Sequence, residues 1–253
     1  MSYALITGGA IGLGRAFSDL LADRGYDLIL TSRSLDHLAS AQKEIQAKYR
    51  VKVQIFVGDL AKSDFRDKLI EFIKPYDIDI LINNAGFGHN DLFIDAPLDK
   101  EFQMIDLNIK ALQHLMKHFY GYFKDKSGGR IINVSSLAGF VPGAYASTYY
   151  ATKAYVTSLT RAAAYEAKVT KSNVVIQALC PGPLKTQFFE TAGTSIKFYK
   201  KDPKMAARQA LDAKRVIIVP GFKEKIAHGL LKIMPTSLSV RFAGFGQKRK
   251  KNQ

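Results

Sequence analysis

Short apolar runs alternate with amphipathic stretches along almost the whole chain of 253 residues. Parallel strands need long crossover connections, usually helices, so this alternation predicts a parallel sheet with helices on both faces. We predict an α/β fold in which one doubly wound domain spans residues 1–221 and a helical extension spans residues 222–253. The predicted strands are residues 3–7, 27–31, 51–57, 78–82, 129–134, 173–179 and 215–219, and the helices lie near residues 13–25, 34–50, 63–74, 103–125 and 149–169.

Several features of the sequence indicate the cellular compartment of the protein. The single cysteine, Cys180, excludes an intrachain disulfide, which agrees with a reducing compartment. The first predicted strand begins at residue 3, which leaves no space for a cleaved targeting peptide. The longest stretch without a charged residue, 131–152, is too polar to span a membrane. We therefore expect a cytoplasmic protein.

The alternation fails in one long segment, residues 183–214, which follows the sixth predicted strand. Long segments beyond the carboxyl ends of strands commonly carry ligand contacts. This segment can cover an apolar ligand, or it can simply pack on the domain. Its bulky apolar residues are Phe188, Phe189, Ile196, Phe198, Tyr199 and Met205.

The first strand leads into a glycine-rich turn, Thr7-Gly-Gly-Ala-Ile-Gly-Leu-Gly14, and then into a helix. Glycines let the backbone approach a pyrophosphate closely, and the amino end of a helix attracts its negative charge. A glycine-rich turn alone is weak evidence. Here the strand before it and the helix after it are both present, so the sequence predicts dinucleotide binding at residues including Gly8, Gly12 and Gly14.

The end of the second strand indicates which dinucleotide is bound. An acidic residue there accepts hydrogen bonds from the ribose hydroxyls and repels a 2′-phosphate, but this chain has Ser32 and Arg33. The planar fork of Arg33 can hold a phosphate, and Ser32 can donate to it. We predict a preference for NADP(H), with NAD(H) possible. The alternative for Arg33 is an ordinary solvated surface arginine.

Tyr149 and Lys153 stand four residues apart on a predicted helix, thirteen residues or more beyond Ser136. This spacing puts the phenol and the ammonium on one helix face, where the cation favours the ionised phenol. A charge at about 4 Å in an effective dielectric of about 20 supplies on the order of 4 kcal/mol, enough to lower a tyrosine pKa by two to three units. Tyr150 lies three residues before Lys153 and is the alternative; alone, either pair is an ordinary surface pair.

Together these motifs resemble the short-chain dehydrogenase/reductase family from Tyr3 to about Gly221, and the resemblance implies a Rossmann fold. Asp59 in Gly-Asp-Leu, the turn Asn83–Gly86 and the pair Pro181-Gly182 match further family motifs in the expected order. The implied cofactor-binding residues are Gly8, Gly12, Leu13, Gly14, Ser32, Arg33, Asp59, Leu60, Asn83, Ala85, Gly86, Tyr149, Lys153, Pro181, Gly182 and Thr186.

The resemblance also implies a catalytic tetrad of Asn108, Ser136, Tyr149 and Lys153. Tyr149 exchanges a proton with a carbonyl or alcohol oxygen, and Ser136 hydrogen-bonds that oxygen. Lys153 lowers the tyrosine pKa and binds the nicotinamide ribose, and Asn108 holds a water that resupplies protons. The alternatives are structural: Ser136 capping a strand end, Asp59 capping a helix, and Asn83 and Asn108 as satisfied polar groups. The family implies a homo-oligomer, either a dimer or a tetramer.

The substrate class is indicated more weakly. The Asn-Asn-Ala-Gly-Phe-Gly turn and the Ile-Val-Pro-Gly-Phe sequence at 218–222 resemble the branch of steroid and long-chain ketoacyl reductases. We therefore expect a small hydrophobic ketone or secondary alcohol as the substrate. His37, His114, His118 and His228 show no spacing typical of metal ligands, so we expect no metal. His89 can border the substrate cleft without being catalytic.

The chain has a net charge of +15, and eight Lys or Arg against one acid, Glu224, lie within residues 223–253. Because much of the excess is in this tail, nucleic-acid binding is not indicated. Ile226, Leu230 and Ile233 have helical spacing before Pro235, and a second apolar face follows with Leu238, Phe242 and Phe245. These faces can pack on the domain or a subunit, or contact an anionic membrane surface peripherally. A cofactor-sensing or membrane-surface protein with incidental turnover is the alternative function.

Overall fold

The computed structural model describes residues 2–186, 188 and 201–251. Its described part contains a seven-stranded parallel sheet in the order β3-β2-β1-β4-β5-β6-β7. This confirms the predicted doubly wound Rossmann fold. The strands are β1 (Tyr3–Thr7), β2 (Asp27–Ser32), β3 (Val53–Val57), β4 (Ile78–Asn83), β5 (Gly129–Val134), β6 (Val174–Leu179) and β7 (Ile217–Ile218).

Helices connect the strands and cover both faces of the sheet. They are α1 (Gly12–Asp23), α2 (Leu35–Lys48), α3 (Ser63–Ile73), α4 (Leu98–Ile105), α5 (Leu112–Asp125), α6 (Ser147–Val169), α7 (Pro203–Asp212), α8 (Phe222–Ile233) and α9 (Thr236–Lys251). A π-helical turn, Asp106–Ala111, joins α4 to α5, and a 3₁₀ turn, Leu137–Phe140, follows β5. The helix predicted near residues 103–125 therefore begins earlier, at Leu98, immediately after Pro97.

Alternate residues of the central strands feed two separate apolar cores. Ala4 and Ile6 of β1 face the core beneath α1 and α2, where Phe17 is fully buried. Leu5 of the same strand faces the opposite core, which contains Phe119 of α5. The twofold periodicity of a strand places successive side chains on opposite faces, so both faces of the sheet are apolar.

The chain reverses its winding direction between β1 and β4, which lie side by side at the centre of the sheet. Ligands of doubly wound folds bind in the crevice outside the carboxyl ends of strands at such a reversal. Thr7 fixes this point, because its hydroxyl accepts hydrogen bonds from the backbone N–H groups of Asn84 and Ala85, both at 2.9 Å. The sheet therefore positions a crevice between the glycine-rich turn and the turn after β4.

The last two helices form the predicted C-terminal extension. As predicted, the first of them, α8, ends before Pro235, and α9 follows directly. Within the ranges that the structure describes, no helix combines the length and apolarity needed to cross a membrane. Among the side chains of this extension that the structure describes, the exposed large apolar ones are Phe222, Ile226, Leu230, Ile233, Leu238, Phe242 and Phe245.

Candidate active site

A cleft of about 710 Å³ lies at the carboxyl edge of the sheet, above the reversal between β1 and β4. One end is lined by the glycine-rich turn and the ends of β2 and β3. The other end is lined by Ser136, Tyr149 and Lys153. The structure therefore brings three members of the predicted tetrad and the predicted dinucleotide-binding residues other than Gly14 and Asn83 into one cavity.

At two positions of the glycine-rich turn, the backbone has a conformation that only glycine adopts without strain. Gly8 has a φ of 64° and Gly12 a φ of 56°, both in the left-handed region. A Cβ on Gly14 would overlap the carbonyl oxygen of Gly8. Helix α1 begins at Gly12, and its N-cap residue, Ile11, has no side chain that caps the first N–H groups. These groups are donors at the positive end of the helix, so the turn fits a pyrophosphate.

Thr186 lies across the cleft from this turn. A Cβ on Gly12 would be 3.2 Å from the Thr186 methyl carbon, so the two residues are in close approach. Pro181 and Gly182 precede it on the same side, and both line the cleft. These three predicted cofactor-binding residues are thus held close to the predicted pyrophosphate turn, as one extended ligand bridging both would require.

The ends of β2 and β3 form another part of the cleft wall. Ser32, Arg33, Asp59 and Leu60 all line it. The Arg33 side chain is exposed and forms no recorded ion pair with any residue in the described ranges. Asp59 accepts a hydrogen bond from the Ala61 backbone at 3.0 Å, which orders the turn after β3. Arg33 is therefore available to an anionic ligand.

Asn83 is placed differently from the sequence-based expectation. Its side chain is buried below the cleft, where it donates to Asn133 at 3.0 Å. Asn84 lines the cleft instead and donates to the carbonyl oxygens of Thr7 and Gly8 at 3.0 and 3.2 Å. Asn84 thereby ties the turn after β4 to the glycine-rich turn. Of the predicted turn, Ala85 and Gly86 also line the cavity.

Tyr149 and Lys153 lie on one face of α6, as their spacing predicts. The Lys153 Nζ atom is 5.9 Å from the centroid of the Tyr149 ring. Lys153 also donates a hydrogen bond to the Val134 carbonyl oxygen at 2.9 Å, which anchors α6 to the end of β5. Ser136 follows β5 two residues later, and its hydroxyl oxygen accepts a hydrogen bond from the Ala138 N–H at 3.1 Å, close enough to Tyr149 to influence the pKa of its phenol. The three side chains therefore converge at one point.

The expectation that Lys153 lowers the pKa of Tyr149 is wrong for this structure. Burial raises the pKa of the Tyr149 phenol far above its ordinary value, and the hydrogen bond with Ser136 opposes the rise without cancelling it. Burial also lowers the pKa of Lys153 to about 8. Desolvation favours the neutral form of each group, so Tyr149 holds its proton.

The structure separates Tyr149 from its neighbour Tyr150. The two rings are nearly perpendicular, at 83°, with centroids 6.1 Å apart. Tyr149 lies with Ser136 and Lys153, whereas the Tyr150 hydroxyl oxygen accepts a hydrogen bond from Gln247 at 2.8 Å. Tyr149 is therefore the tyrosine that lies in the arrangement predicted for catalysis.

Asn108 is buried in the π-helical turn and lies behind the cleft wall. Its side-chain oxygen accepts from the Phe87 N–H at 3.1 Å, and its amide donates to the Phe87 carbonyl at 2.9 Å and to Thr152 at 3.1 Å. A Cβ on Gly86 would be 2.7 Å from the Asn108 oxygen and 3.6 Å from the Lys153 nitrogen. The Asn108 side chain thus links the turn after β4 to α6 beside Lys153.

Among the residues that line the cavity, Asn90 and Gln247 carry no sequence signal. Tyr150, the alternative to Tyr149, lines it as well, and Phe188 packs on the Tyr149 ring with centroids 5.6 Å apart. Phe188 was anticipated as an apolar cover. Phe189, Ile196, Phe198 and Tyr199, which were anticipated with it, lie outside the described residues, and Met205 lies on α7. Gln247 stands within a run of basic residues and has no local pattern that predicts its position.

Comparison with known proteins identifies the family. The family model for short chain dehydrogenases matches residues 2–196. The chain belongs to the short-chain dehydrogenase family. It is 30% identical over 215 residues to the very-long-chain 3-oxoacyl-CoA reductase of Anas platyrhynchos, covering 83% of this chain and 68% of that protein. It is 32% identical over 197 residues to the 17-beta-hydroxysteroid dehydrogenase type 3 of Homo sapiens, covering 77% of this chain and 63% of that protein.

Among solved structures, a short-chain dehydrogenase from Sphingobium yanoikuyae in complex with NADPH superposes with a TM-score of 0.82 at 26% identity, covering 94% of this chain and 98% of that one. This short-chain dehydrogenase is therefore an oxidoreductase that acts on CH–OH or C=O groups. The similarity to 3-oxoacyl-CoA reductases and steroid dehydrogenases confirms the predicted branch of the family.

Proposed function

We propose that this short-chain dehydrogenase transfers a hydride between NADP(H) and a hydrophobic ketone or secondary alcohol. The observation that carries the proposal is the convergence of Ser136, Tyr149 and Lys153 at one end of a cleft whose other end is the glycine-rich turn. When bound, the nicotinamide would supply the hydride, and the protein would supply orientation and charge stabilisation.

In the reducing direction, Tyr149 donates the proton. Its raised pKa keeps the phenol protonated near neutral pH, so the proton is available for an oxygen on which negative charge develops. The Ser136 hydroxyl lines the same cavity as Tyr149 and can donate to the same substrate oxygen. The two hydroxyl groups together define the position of the reacting carbonyl.

Lys153 is the group that can supply protons to the site. Its pKa of about 8 leaves the ammonium protonated at neutral pH but able to lose a proton at little cost. The ammonium lies 5.9 Å from the centroid of the Tyr149 ring, so its charge stabilises the phenolate that remains after the proton is transferred. We also propose that Lys153 and Tyr149 hold the nicotinamide ribose, and that Asn108 positions Lys153 through the turn after β4.

The preference for NADP(H) rests on Arg33 and Ser32 at the end of β2. We expect Arg33→Ala to weaken NADPH binding about 10- to 100-fold and NADH binding much less, because the guanidinium makes a charge-assisted contact only with the 2′-phosphate. Dissociation constants measured by nicotinamide fluorescence check this result. Arg208→Ala removes an exposed arginine of α7, outside the cleft, and is the matched control. Equal losses for both dinucleotides would contradict the proposal and favour an NAD(H) enzyme.

The hydrophobic character of the substrate is supported by the apolar side chains around Tyr149. Phe188 lies against the Tyr149 ring, and Phe87, Leu137 and Leu184 line the same cavity. Burial of apolar substrate surface against such walls contributes about 25 cal/mol of favourable free energy per Å². Screening NADPH consumption over ketones of increasing chain length and ring number would test this preference, and kcat/KM is expected to rise with apolar surface.

Peripheral membrane contact is a second proposal, supported by the exposed face of α8. Phe222 is 77% exposed and Ile233 is 80% exposed, and Lys223, Lys225 and Lys232 lie on the same helix. Exposed apolar and basic groups on one helix are complementary to an anionic lipid surface. The chemistry therefore favours acidic phospholipid as the occupant of this face.

Sedimentation with vesicles tests the membrane proposal. We expect the full chain to sediment with phosphatidylserine vesicles more than with phosphatidylcholine vesicles, and the double variant Phe222→Ser/Ile233→Ser to lose most of this binding. Leu35→Ser, on α2, removes another exposed apolar residue and is the control. Equal sedimentation of the double variant would contradict membrane contact. If the double variant instead differs from the unaltered chain in its sedimentation coefficient without lipid, the exposed face of α8 joins subunits of the predicted homo-oligomer.

A further inference from the structure

The last helix of the chain contributes a buried side chain to the substrate end of the cleft. Gln247 of α9 is 8% exposed and lines the same cavity as Tyr149. Its side-chain oxygen accepts a hydrogen bond from Asn90 at 2.8 Å, and its amide donates to the Tyr150 hydroxyl oxygen at 2.8 Å. These three residues come from the turn after β4, from α6 and from α9.

The direction of these hydrogen bonds leaves the phenolic proton of Tyr150 available to a ligand in the cavity. The Tyr150 oxygen accepts from Gln247, so its phenolic proton is the remaining donor of the chain. Within the described residues, no protein acceptor is recorded for that proton. Burial raises the pKa of Tyr150, so the hydroxyl stays protonated at neutral pH. Tyr150 is therefore a neutral donor that lines the cleft.

The position of the Tyr150 ring is also fixed. A Cβ on Gly143 would lie 2.5 Å from three ring carbons, so the ring packs directly on that glycine. On its other side the ring meets Tyr149 in an edge-to-face contact, with centroids 6.1 Å apart. Tyr150 is therefore preorganised next to the proposed reacting centre, because two contacts hold its ring and a hydrogen bond holds its hydroxyl.

We propose that Tyr150 donates a hydrogen bond to a second oxygen of the substrate, close to the carbonyl that reacts at Tyr149, and that Gln247 is the residue that positions Tyr150. The proposal rests on the proposed function and narrows it. The preferred substrates are ketones that carry another carbonyl oxygen near the reacting one, on an otherwise apolar body. A ketone without that oxygen leaves the buried Tyr150 donor unpaired, and this selects against it.

Two ketones of matched length provide the test. Ethyl 3-oxooctanoate has a chain of eleven atoms with the ketone at the centre and an ester carbonyl beside it, and 6-undecanone has the same length without the ester. We expect Tyr150→Phe to lower kcat/KM for the keto ester about five- to tenfold more than for 6-undecanone, mainly through KM. Comparing each variant with the wild type on each substrate removes the difference in intrinsic reactivity between the two ketones.

Variants of Gln247 distinguish a role in positioning Tyr150 from a general structural role. Gln247→Glu keeps the volume but replaces the amide donor by an acceptor, which draws the Tyr150 proton away from the cleft. We expect it to reduce the preference for the keto ester as Tyr150→Phe does. We expect the double variant Tyr150→Phe/Gln247→Leu to lose no more of the preference than Tyr150→Phe alone, because both changes remove the same interaction. NADPH titration by fluorescence verifies that each variant retains a folded cofactor site.

The outcomes distinguish this inference from the function on which it rests. Equal losses on both ketones in Tyr150→Phe, or a Gln247→Glu variant with unchanged preference, would overturn the role of Tyr150 and Gln247 and leave the proposed reduction intact. A wild-type protein that binds NADPH but reduces neither ketone would contradict the proposed function and this inference with it.

Discussion

Tyr149→Phe is expected to lower kcat for ketone reduction about 10²- to 10⁴-fold, which is the contribution typical of a general acid in an enzyme active site. The ring is retained, so its contacts with Phe188 and Tyr150 persist and the fold is preserved. Only the phenolic hydroxyl is lost. KM for the ketone and the NADPH dissociation constant are expected to change much less than kcat.

Two other tyrosines on α6 serve as comparisons for this prediction. Tyr165→Phe removes an exposed hydroxyl near the carboxyl end of the helix and is expected to leave kcat unchanged. With 6-undecanone as substrate, Tyr150→Phe is expected to lose far less activity than Tyr149→Phe. A Tyr149→Phe protein with nearly full turnover, or a larger loss in Tyr150→Phe, would transfer the proton-donor role to Tyr150.

Lys153→Met is expected to abolish most activity while increasing stability at neutral pH. The lysine is buried with a pKa of about 8, and burial of its charge is the main cause of that lowered value. A shift from about 10.5 to about 8 corresponds to on the order of 3 kcal/mol of destabilisation when the group is charged in the folded protein. Methionine fills similar space without a charge, although the bond to the Val134 carbonyl is lost.

The pH dependence of stability gives this prediction a definite sign. Because the folded-state pKa is lower than the unfolded-state pKa, the unfolded chain binds more protons between about pH 8 and pH 10.5. The wild type is therefore expected to gain stability relative to Lys153→Met as the pH rises through this range. Urea midpoints at pH 7.5 and pH 10 measure the difference. Lys168→Met, an exposed change on the same helix, is expected to show no such pH dependence, and an equal dependence in both variants would contradict the burial argument.

The sequence predicted the parts of the site that depend on local pattern. The strand, glycine-rich turn and helix at residues 3–23 are contiguous, so their order alone specifies the geometry that Gly8 and Gly12 adopt. Tyr149 and Lys153 share one helix, so their spacing alone places them on one face. The seven strands were predictable for the same reason, because each is a short apolar run within the alternating pattern.

Features that depend on distant parts of the chain were not predictable. The pKa of Tyr149 is set by burial within the folded protein, which a spacing of four residues does not specify. Asn83 and Asn84 are adjacent, and only the twist and register of β4 decide which side chain faces the cleft. Gln247 reaches the cavity across 97 residues of sequence from Tyr150, and its basic surroundings indicate a solvated helix.

The central claim is that hydride transfer to a ketone is coupled to proton donation by Tyr149. Its most direct test uses NADPH deuterated at the transferring position of the nicotinamide, with 6-undecanone as the acceptor and mass spectrometry of the product. The wild type is expected to form an alcohol that carries one deuterium on the carbinol carbon, and Tyr149→Phe is expected to form almost none. Consumption of NADPH without labelled alcohol, or equal labelled product from both proteins, would contradict the account.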